Sequence, residues 1–208
     1  ARNFEIIVPC ETPYLIESKS LKLYLYSFAN TCLAEELVLK TLVQDLSEAT
    51  GGDVSVQLLE KNDPKYTTYH AGFVGTSLDH QDIEIDSFDL SPEFLTTDPH
   101  EIVEETLHSD LLHAICPVTK KPDWGSIQVS YSGPQISHAG LLKYLCSFRK
   151  HPEFHELCVE RVFTDIKKHC QPERLEVKAS VTRRGGLDIN PIRTTHPTKP
   201  TWVRLFRA

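Results

Sequence analysis

The sequence HSDLLHAICPVTKKPDW, residues 108–124, places one cysteine and one acid at the two ends of a short polar segment. Cys116 stands directly before Pro117, and Asp123 stands directly after Pro122. Proline lacks a backbone N–H and restricts the residue before it, so the residues between the two prolines are predicted to form a loop. Such a loop can hold a thiol nucleophile and a proton donor around one small electrophile. A core cysteine and a turn-capping aspartate explain the same residues, so the loop alone leaves both interpretations open.

The segments that flank this loop have different patterns. Ahead of it, residues 101–115 are predicted to form a helix that ends just before the cysteine. After it, the run Ile127-Gln128-Val129-Ser130-Tyr131 alternates apolar and other side chains, which predicts a strand. The thiol is therefore expected where a buried element meets a loop.

The rest of the chain also mixes helical and strand patterns. Apolar residues recur at helical spacing over 33–49, which predicts an amphipathic helix ended by Gly51-Gly52. Pro152 fits the first turn of another helix, whose apolar stripe runs from Phe154 to Ile166. Further strands are predicted at 4–8, 21–28, 53–60, 142–148, 175–181 and 202–206, while 61–100 holds only short alternating pieces and a connector.

Composition limits the class of protein. With 208 residues, 40% of them hydrophobic and 25% charged, the chain is globular and long enough for one large domain or two small ones. Its formal net charge of -7 argues against a general nucleic-acid binder. No apolar run approaches the roughly 20 residues that span a bilayer, and no signal peptide opens the chain. Six scattered cysteines predict reduced thiols in the cytosol, and the absence of methionine is what a truncated chain would show.

The sequence contains an internal repeat. Residues 24–28, YLYSF, reappear 120 positions later as YLCSF at 144–148, and the register continues into the helices that follow, where Asp45 matches Asp165. A strand–helix–strand unit is thus predicted to have been duplicated, giving two copies of one α+β fold. The copies differ in their polar residues, as expected if one site is assembled across a seam between them.

Four motifs resemble the NADPH-dependent 7-cyano-7-deazaguanine reductases, nitrile reductases of queuosine biosynthesis. In chain order they are ESKSLKLYLYSF at 17–28, CPVTKKPDWGSI at 116–127, SFRKHPEFHE at 147–156 and TRRGGLDINP at 182–191. The resemblance implies an α+β fold of tandem tunnelling-fold domains, each an antiparallel sheet with helices packed on one face. It places a first copy at 1–100 and a second at 101–208, and it predicts a further stretch before Phe4. It also implies self-association into a homodimer or higher homo-oligomer in which sheets close into barrels.

The same resemblance assigns catalytic roles within the second copy. Cys116 would attack the nitrile carbon to form a covalent thioimide, Asp123 would protonate the nitrogen, and His155 would assist near the site of proton transfer. Two hydride deliveries from NADPH would then give the aminomethyl product. A core cysteine and a capping aspartate remain the structural alternative for these positions.

Binding roles are implied for both copies. Glu156 would accept hydrogen bonds from the N–H groups of the deazaguanine, because a carboxylate takes two donors side by side. The first copy would line the substrate pocket through Ile16, Glu17 and Ser18. No GxGxxG follows a strand, so the dinucleotide would be held by side chains and a glycine turn. The residues implied for NADPH are Lys19, Ser20, Lys22, Arg149, Arg184 and Gly185.

Two other interpretations stay open. One is a zinc site, although neither CxxC nor HExxH is present. Its candidate ligand sets are His108, His113 and Cys116, or His151, His155 and Cys158. The other is a non-catalytic binding or scaffold module with a degenerate first copy, which the unmatched segment ANTCLAEE at 29–36 favours and the catalytic residues of the second copy oppose.

Overall fold

A computed structural model describes residues 3–63, 67–197 and 201–207. The chain divides into two compact units, residues 1–67 and 68–208. The boundary predicted at residue 100 lies inside a long strand of the second unit. The helices and strands, in chain order, are β1 (Asn3–Ile7), α1 (Ser18–Ser27), α2 (Glu35–Thr50), β2 (Ser55–Leu59), β3 (Tyr69–His70), β4 (Thr76–Ser77), β5 (Thr97–Ile115), β6 (Pro122–Ile136), α3 (His138–Cys146), α4 (His155–Cys170), β7 (Arg174–Val181), β8 (Ile192–Thr194) and β9 (Arg204–Leu205).

The first unit packs two helices and a two-stranded antiparallel sheet around a small apolar cluster. β1 pairs with β2, from Asn3 opposite Leu59 to Ile7 opposite Ser55. Leu42 and Leu46 of α2 are buried against Val54, and partly buried side chains from β1, α1 and β2 surround them. The helix predicted at 33–49 and the strands predicted at 4–8 and 53–60 are confirmed, with small shifts at their ends.

The second unit is built on a five-stranded sheet in the order β4-β5-β6-β7-β8. The pairs from β5 to β8 are antiparallel, whereas β4 runs parallel to β5. Alternate residues of β6 and β7, such as Val129 opposite Val177, pack into one core with Val162 and Ile166 of α4. The α+β class and the strands predicted around 127–131 and 175–181 are therefore confirmed, and β9 occupies part of the strand predicted at 202–206.

Two predicted strands are helices. Residues 21–28 lie mostly in α1 and residues 142–148 mostly in α3. The alternation in LKLYLYSF also puts Leu21, Tyr24, Leu25 and Phe28 at helical spacing, and these side chains pack toward the core of the first unit. An N-terminal cap favours the helix over a strand here, because the Glu17 carboxylate accepts hydrogen bonds from the backbone N–H groups of Lys19 and Ser20.

The helix predicted at 101–115 is wrong, since this segment lies within β5. An extra residue between Ser109 and Leu112 interrupts the pairing with β6, so buried positions run 107 and 109, then 112, 114 and 116. This three-residue step breaks the alternation that marks a strand and brings apolar residues to helix-like spacing.

The repeat seen in the sequence has a matching set of contacts in each unit. Tyr24 Oη donates to Asp45 Oδ2 at 2.7 Å, and Tyr144 Oη donates to Asp165 Oδ2 at 2.7 Å. The Ser27 hydroxyl donates to the Tyr24 carbonyl and the Ser147 hydroxyl donates to the Tyr144 carbonyl, both at 2.6 Å. The strands also correspond, with an offset of 122 residues where the helices have 120. Asn3 pairs with Leu59 in β1–β2, and the residues 122 positions later, Gly125 and Val181, pair in β6–β7. The tyrosine–aspartate and serine–carbonyl contacts are thus present in both units.

Candidate active site

The loop that links β5 to β6 is closed by its own backbone. Cys116 N–H donates to the carbonyl of Lys121 at 2.9 Å, and Lys120 N–H donates to the carbonyl of Cys116 at 2.9 Å. Lys120 completes the turn with a left-handed φ of 58°. The predicted loop between the prolines is confirmed, and it leaves the Cys116 side chain 6% exposed.

Hydrogen bonds within this loop are directed at the Cys116 sulfur. Burial raises the pKa of the thiol, but the Thr119 hydroxyl, the backbone N–H groups of Thr119 and Val118, and Arg184 together outweigh it and bring the pKa down to about 7. The Thr119 N–H lies 3.4 Å from Sγ. A pKa of about 7 leaves part of the thiol ionised near neutral pH, which suits a nucleophile. Burial instead raises the pKa of the Cys146, Cys158 and Cys170 thiols.

The segment that precedes α4 lies beside the end of β5. Ile115 N–H donates to the carbonyl of His151 at 3.1 Å, and Glu153 N–H donates to the carbonyl of Ile115 at 3.1 Å. Pro152 forms a bridge with Ile115 here, so its prediction as part of the first helical turn is wrong. It has no N–H to donate and occupies the position between the two hydrogen bonds, while α4 begins at His155.

Asp123, His155 and Arg184 meet next to this loop. Asp123 is opposite Ala114 in the β5–β6 pairing, and its side chain is buried. His155 Nε2 lies 3.5 Å from Asp123 Oδ2, and the Arg184 guanidinium contacts Oδ1. Burial lowers the pKa of His155 to about 4, so the imidazole is neutral at physiological pH and can act as a hydrogen-bond donor to the carboxylate.

Glu156 and Gly185, two further residues predicted for the site, are the sequence neighbours of His155 and Arg184. Glu156 is in the first turn of α4, where Phe154 provides no side-chain cap. Arg184 and Leu187 exchange backbone hydrogen bonds across Gly185-Gly186, and both glycines have left-handed φ angles of 56° and 91°. The glycine turn predicted after β7 is therefore present.

Arg149 has the features of a cation that can receive an anionic group. Its guanidinium lies over the Phe88 ring, 5.2 Å from the ring centre, and its buried Nε has no hydrogen-bond partner among the described residues. Burial, followed by the charge of Arg149, lowers the pKa of His113. An unpartnered buried N–H is costly unless a ligand or water accepts from it, so this side chain fits a phosphate-binding role.

The residues predicted in the first copy lie at the start of α1. Glu17 caps this helix, Ser18 is its first residue, and Ile16 packs against the apolar cluster of the first unit. The side chains of Lys19, Ser20 and Lys22 are exposed. These positions belong to residues 1–67, whereas Cys116, Asp123 and His155 belong to residues 68–208. A shared site between the two sets therefore stays a prediction.

Sequence reasoning missed Thr119 as a contributor to the site and the stacking of His113 on Trp124, with ring centres 4.3 Å apart and planes 10° apart. The threonine is part of CPVT, so only its spacing from Cys116 could have indicated it.

Across 3–63, 67–197 and 201–207, no group of three or more His, Cys, Asp or Glu side chains is arranged to hold a metal ion. Within the same ranges, no helix is long and apolar enough to cross a membrane.

Known proteins match this chain over most of its length. Residues 2–58 match the family described as "Nitrile reductase, 7-cyano-7-deazaguanine-reductase N-term", and residues 122–201 match "QueF-like protein". The chain is 50% identical over 199 residues to the NADPH-dependent 7-cyano-7-deazaguanine reductase of Coxiella burnetii (strain Dugway 5J108-111), covering 95% of this chain and 70% of that protein. The chain belongs to this reductase family. The Cupriavidus necator reductase is 52% identical over 194 residues, with coverage of 92% and 70%.

The reductase of Legionella pneumophila (strain Lens) is 52% identical over 189 residues, which are 90% of this chain. The chain spans 66% of the length of that relative. Among solved structures, the apo archaeosine synthase QueF-Like aligns with a TM-score of 0.41 and 17% identity, over 47% of this chain and 96% of that one. A structural likeness this weak carries no argument about the fold, so membership of the reductase family rests on the sequence matches.

Proposed function

We propose that this chain catalyses the NADPH-dependent reduction of 7-cyano-7-deazaguanine to 7-aminomethyl-7-deazaguanine. The observation that carries the proposal is the meeting of three groups at one end of β5 and β6. They are a buried Cys116 whose pKa is about 7, the buried Asp123 carboxyl, and the neutral His155 imidazole 3.5 Å from it. Family membership supplies the substrate and cofactor class.

In the first step the Cys116 thiolate forms a bond to the nitrile carbon, and one π pair of the C≡N bond moves to nitrogen. Asp123 in its protonated form, with His155 beside it, delivers a proton to that nitrogen. This gives a neutral thioimide and leaves the Asp123 carboxylate beside His155 and Arg184. The thioimide carbon is a better hydride acceptor than the nitrile carbon. After one reduction the C–S bond breaks, thiolate leaves, and the resulting imine is reduced to the amine.

NADPH supplies the hydride in each reduction, so one nitrile consumes two NADPH and two protons. Arg149 fits its phosphates because its buried Nε has no acceptor within the described residues, and Lys19, Ser20 and Lys22 offer exposed donors at the start of α1. Arg184 contacts Asp123 and is the cation of this group that lies beside the reacting residues. Glu156 accepts from the deazaguanine N–H groups, and Ile16, Glu17 and Ser18 contribute from the first copy.

The assembly proposed is a homo-oligomer of tandem tunnelling-fold chains whose sheets close into barrels. The matching strand pairs of β1–β2 and β6–β7 and the repeated tyrosine–aspartate contact support the tandem part of this proposal, and self-association is what the family resemblance implies. Light scattering coupled to size-exclusion chromatography tests it, and a monomeric mass at micromolar concentration would contradict it. A reactive Cys116 thiol also fits a reducing compartment such as the cytosol.

The deciding experiment is intact-protein mass spectrometry after addition of 7-cyano-7-deazaguanine without NADPH. A gain of one substrate mass is expected for the native chain and for Cys32→Ala, which removes an exposed thiol, and no gain is expected for Cys116→Ala. Adding NADPH should then remove the adduct and release the amine. A folded chain that never forms the adduct would instead favour a non-catalytic purine-binding or scaffold module.

A further inference from the structure

The β-bulge in β5 decides which way the Cys116 side chain points. Before the bulge, odd-numbered residues of β5 such as Leu107 and Ser109 are buried on the core side, opposite Val129 and Ile127. After the bulge, the even-numbered residues Leu112 and Ala114 are buried on that side, opposite Gly125 and Asp123. Since side chains alternate along a strand, the extra residue changes which side chains face the core, from odd-numbered residues before the bulge to even-numbered residues after it.

Cys116 directly follows β5 and is buried like the even-numbered Leu112 and Ala114, and Arg184 contacts both its thiol and Asp123, so we assign it to the side of the sheet that carries Asp123. Without the extra residue, each later residue of β5 would shift by one position in the alternation. Cys116 would then point to the opposite face, away from Asp123 and His155. The site therefore requires the bulge, although the bulge touches none of the reacting atoms.

Bulge residues lose their ladder partners, so their backbone N–H groups must be satisfied in another way. Here Asp79 accepts the Asp110 N–H at Oδ2, at 2.9 Å, and the Ser109 hydroxyl at Oδ1, at 2.5 Å. The Ser109 Oγ in turn accepts the Leu111 N–H at 3.1 Å. Ser109 is completely buried, so water cannot replace these bonds.

The pairing of β4 with β5 positions the Asp79 carboxylate next to the bulge. Asp79 follows β4, which pairs with β5 at Leu107 and His108, and Leu78 N–H donates to the carbonyl of His108 at 2.8 Å. The short strand therefore carries the carboxylate to the start of the bulge. Asp110 is fixed from the other side, because its carboxylate accepts the Ser126 hydroxyl and pairs with Arg207 at 3.2 Å.

We propose that Asp79 is a positioning residue, which together with Ser109 stabilises the β5 bulge and so holds Cys116 on the face that carries Asp123 and His155. The inference deepens the proposed function, because it assigns to the same site a residue that acts through the backbone. In a variant without this carboxylate, the bulge contains a buried N–H without an acceptor, which favours conformations in which the loop after Ile115 is displaced.

The test measures the pH dependence of Cys116 alkylation by iodoacetamide, followed by mass spectrometry of the Cys116 peptide. It needs no substrate and reports on the surroundings of the thiol and not on overall stability alone. The native midpoint is expected near pH 7. In Asp79→Ala and in Ser109→Ala we expect it to rise by roughly one unit, toward that of an ordinary thiol near 8.5. Asp79→Asn keeps one acceptor and should give a smaller rise.

Matched controls are Glu105→Gln and Ser130→Ala. Glu105 is another partly buried acid that accepts hydrogen bonds from Tyr131 and His138, and Ser130 pairs with Thr106 at 3.0 Å on the regular part of the same ladder. Both controls should keep the native midpoint. If Asp79→Ala does not fold, Asp79→Asn and Ser109→Ala carry the test.

A native midpoint in folded Asp79→Asn and Ser109→Ala would overturn the proposal. A raised midpoint in these variants, absent from the controls, would support it even if the native chain reduced no nitrile, so its failure and that of the proposed function are distinguishable. With turnover present, Asp79→Ala should also lower kcat about 10-fold or more, because a displaced nucleophile reacts slowly.

Discussion

His155 Nε2 lies 3.5 Å from Asp123 Oδ2 in a setting where the two side chains are only 8% and 2% exposed. The pair joins the first residue of α4 to a residue of β6, and Arg184 contacts the other carboxylate oxygen. In its protonated form, a buried carboxyl beside this neutral imidazole is well placed to transfer a proton to a group bound at Cys116.

Asp123→Asn keeps the size of the side chain and removes the group that carries the proton. We expect the rate of adduct formation with the nitrile, measured by rapid-quench mass spectrometry, to fall by roughly 10²- to 10⁴-fold. Asp188→Asn is the matched control, since Asp188 pairs with Arg183 outside the site, and it should stay within about twofold of the native rate. A native rate in Asp123→Asn would remove the acid from the mechanism.

The ionisation of Cys116 depends on Thr119. Burial raises the pKa of the thiol, and the Thr119 hydroxyl and N–H are foremost among the hydrogen bonds that bring it down to about 7. Thr119→Ala should therefore raise the midpoint of the alkylation profile by roughly 0.5 to 1 pH unit. At pH 6 the native reaction should already be about tenfold slower than its plateau, because only thiolate reacts. Thr119→Ser retains the hydroxyl and should keep the native midpoint, and equal profiles for Ala and Ser would contradict the assignment.

The buried neutral His155 makes stability depend on pH. The pKa of His155 is about 4 in the folded chain, against an ordinary histidine value of 6.5, so between these values the unfolded chain binds a proton that the folded chain does not. Acidification below pH 6.5 therefore favours unfolding, by about 2 kcal/mol at pH 5 from this residue alone.

His155→Asn cannot take up this proton. Its free energy of unfolding, measured in urea at pH 7 and pH 5, should fall less on acidification than that of the native chain. His100→Asn, at an exposed position, is the control and should keep the native pH dependence. A native slope in His155→Asn would show that the imidazole titrates normally.

The cofactor contacts can be tested in the steady state. Lys19→Ala combined with Arg149→Ala should raise the KM for NADPH by roughly 10-fold or more and change the KM for the nitrile little, because charge-assisted phosphate contacts are lost. Lys40→Ala with Arg174→Ala makes the same charge change at exposed positions and should leave the KM for NADPH unchanged. An unchanged value in the first pair would remove both residues from the cofactor site.

The repeated tyrosine–aspartate contact predicts unequal effects on stability. Tyr144 is completely buried, whereas Tyr24 is only partly buried, although both donate to an aspartate at 2.7 Å. Tyr144→Phe should cost roughly 1 to 3 kcal/mol of unfolding free energy and Tyr24→Phe about 1 kcal/mol or less. Tyr26→Phe, at an exposed ring, should change stability by less than about 0.5 kcal/mol. Denaturant titrations measure all three, and an effect of Tyr24→Phe larger than that of Tyr144→Phe would contradict the comparison.

Local covalent and periodic constraints made part of this protein predictable from sequence. The loop after Cys116 follows from the backbone restrictions of Pro117 and Pro122, which hold in any tertiary context. The amphipathic pattern of α2 and the repeat of Tyr24 and Asp45 as Tyr144 and Asp165 also lie wholly in the sequence. These features were enough to indicate the α+β class and the reductase family, and they made Cys116 the predicted nucleophile.

Long-range contacts determined the rest. The sequence pattern of β5 does not predict a strand, because its bulge shifts the alternation, and the Asp110 N–H in that bulge is bonded to Asp79, 31 residues earlier in the chain. His155 reaches Asp123 because Ile115 bonds to both His151 and Glu153, an interaction between distant segments that no local pattern encodes. The pKa of Cys116 likewise depends on burial and on hydrogen bonds aimed at its sulfur. The sequence by itself determined which groups are available and the local turns that carry them. Only the tertiary structure decided which face they share, because strand register and burial are set by partners far along the chain.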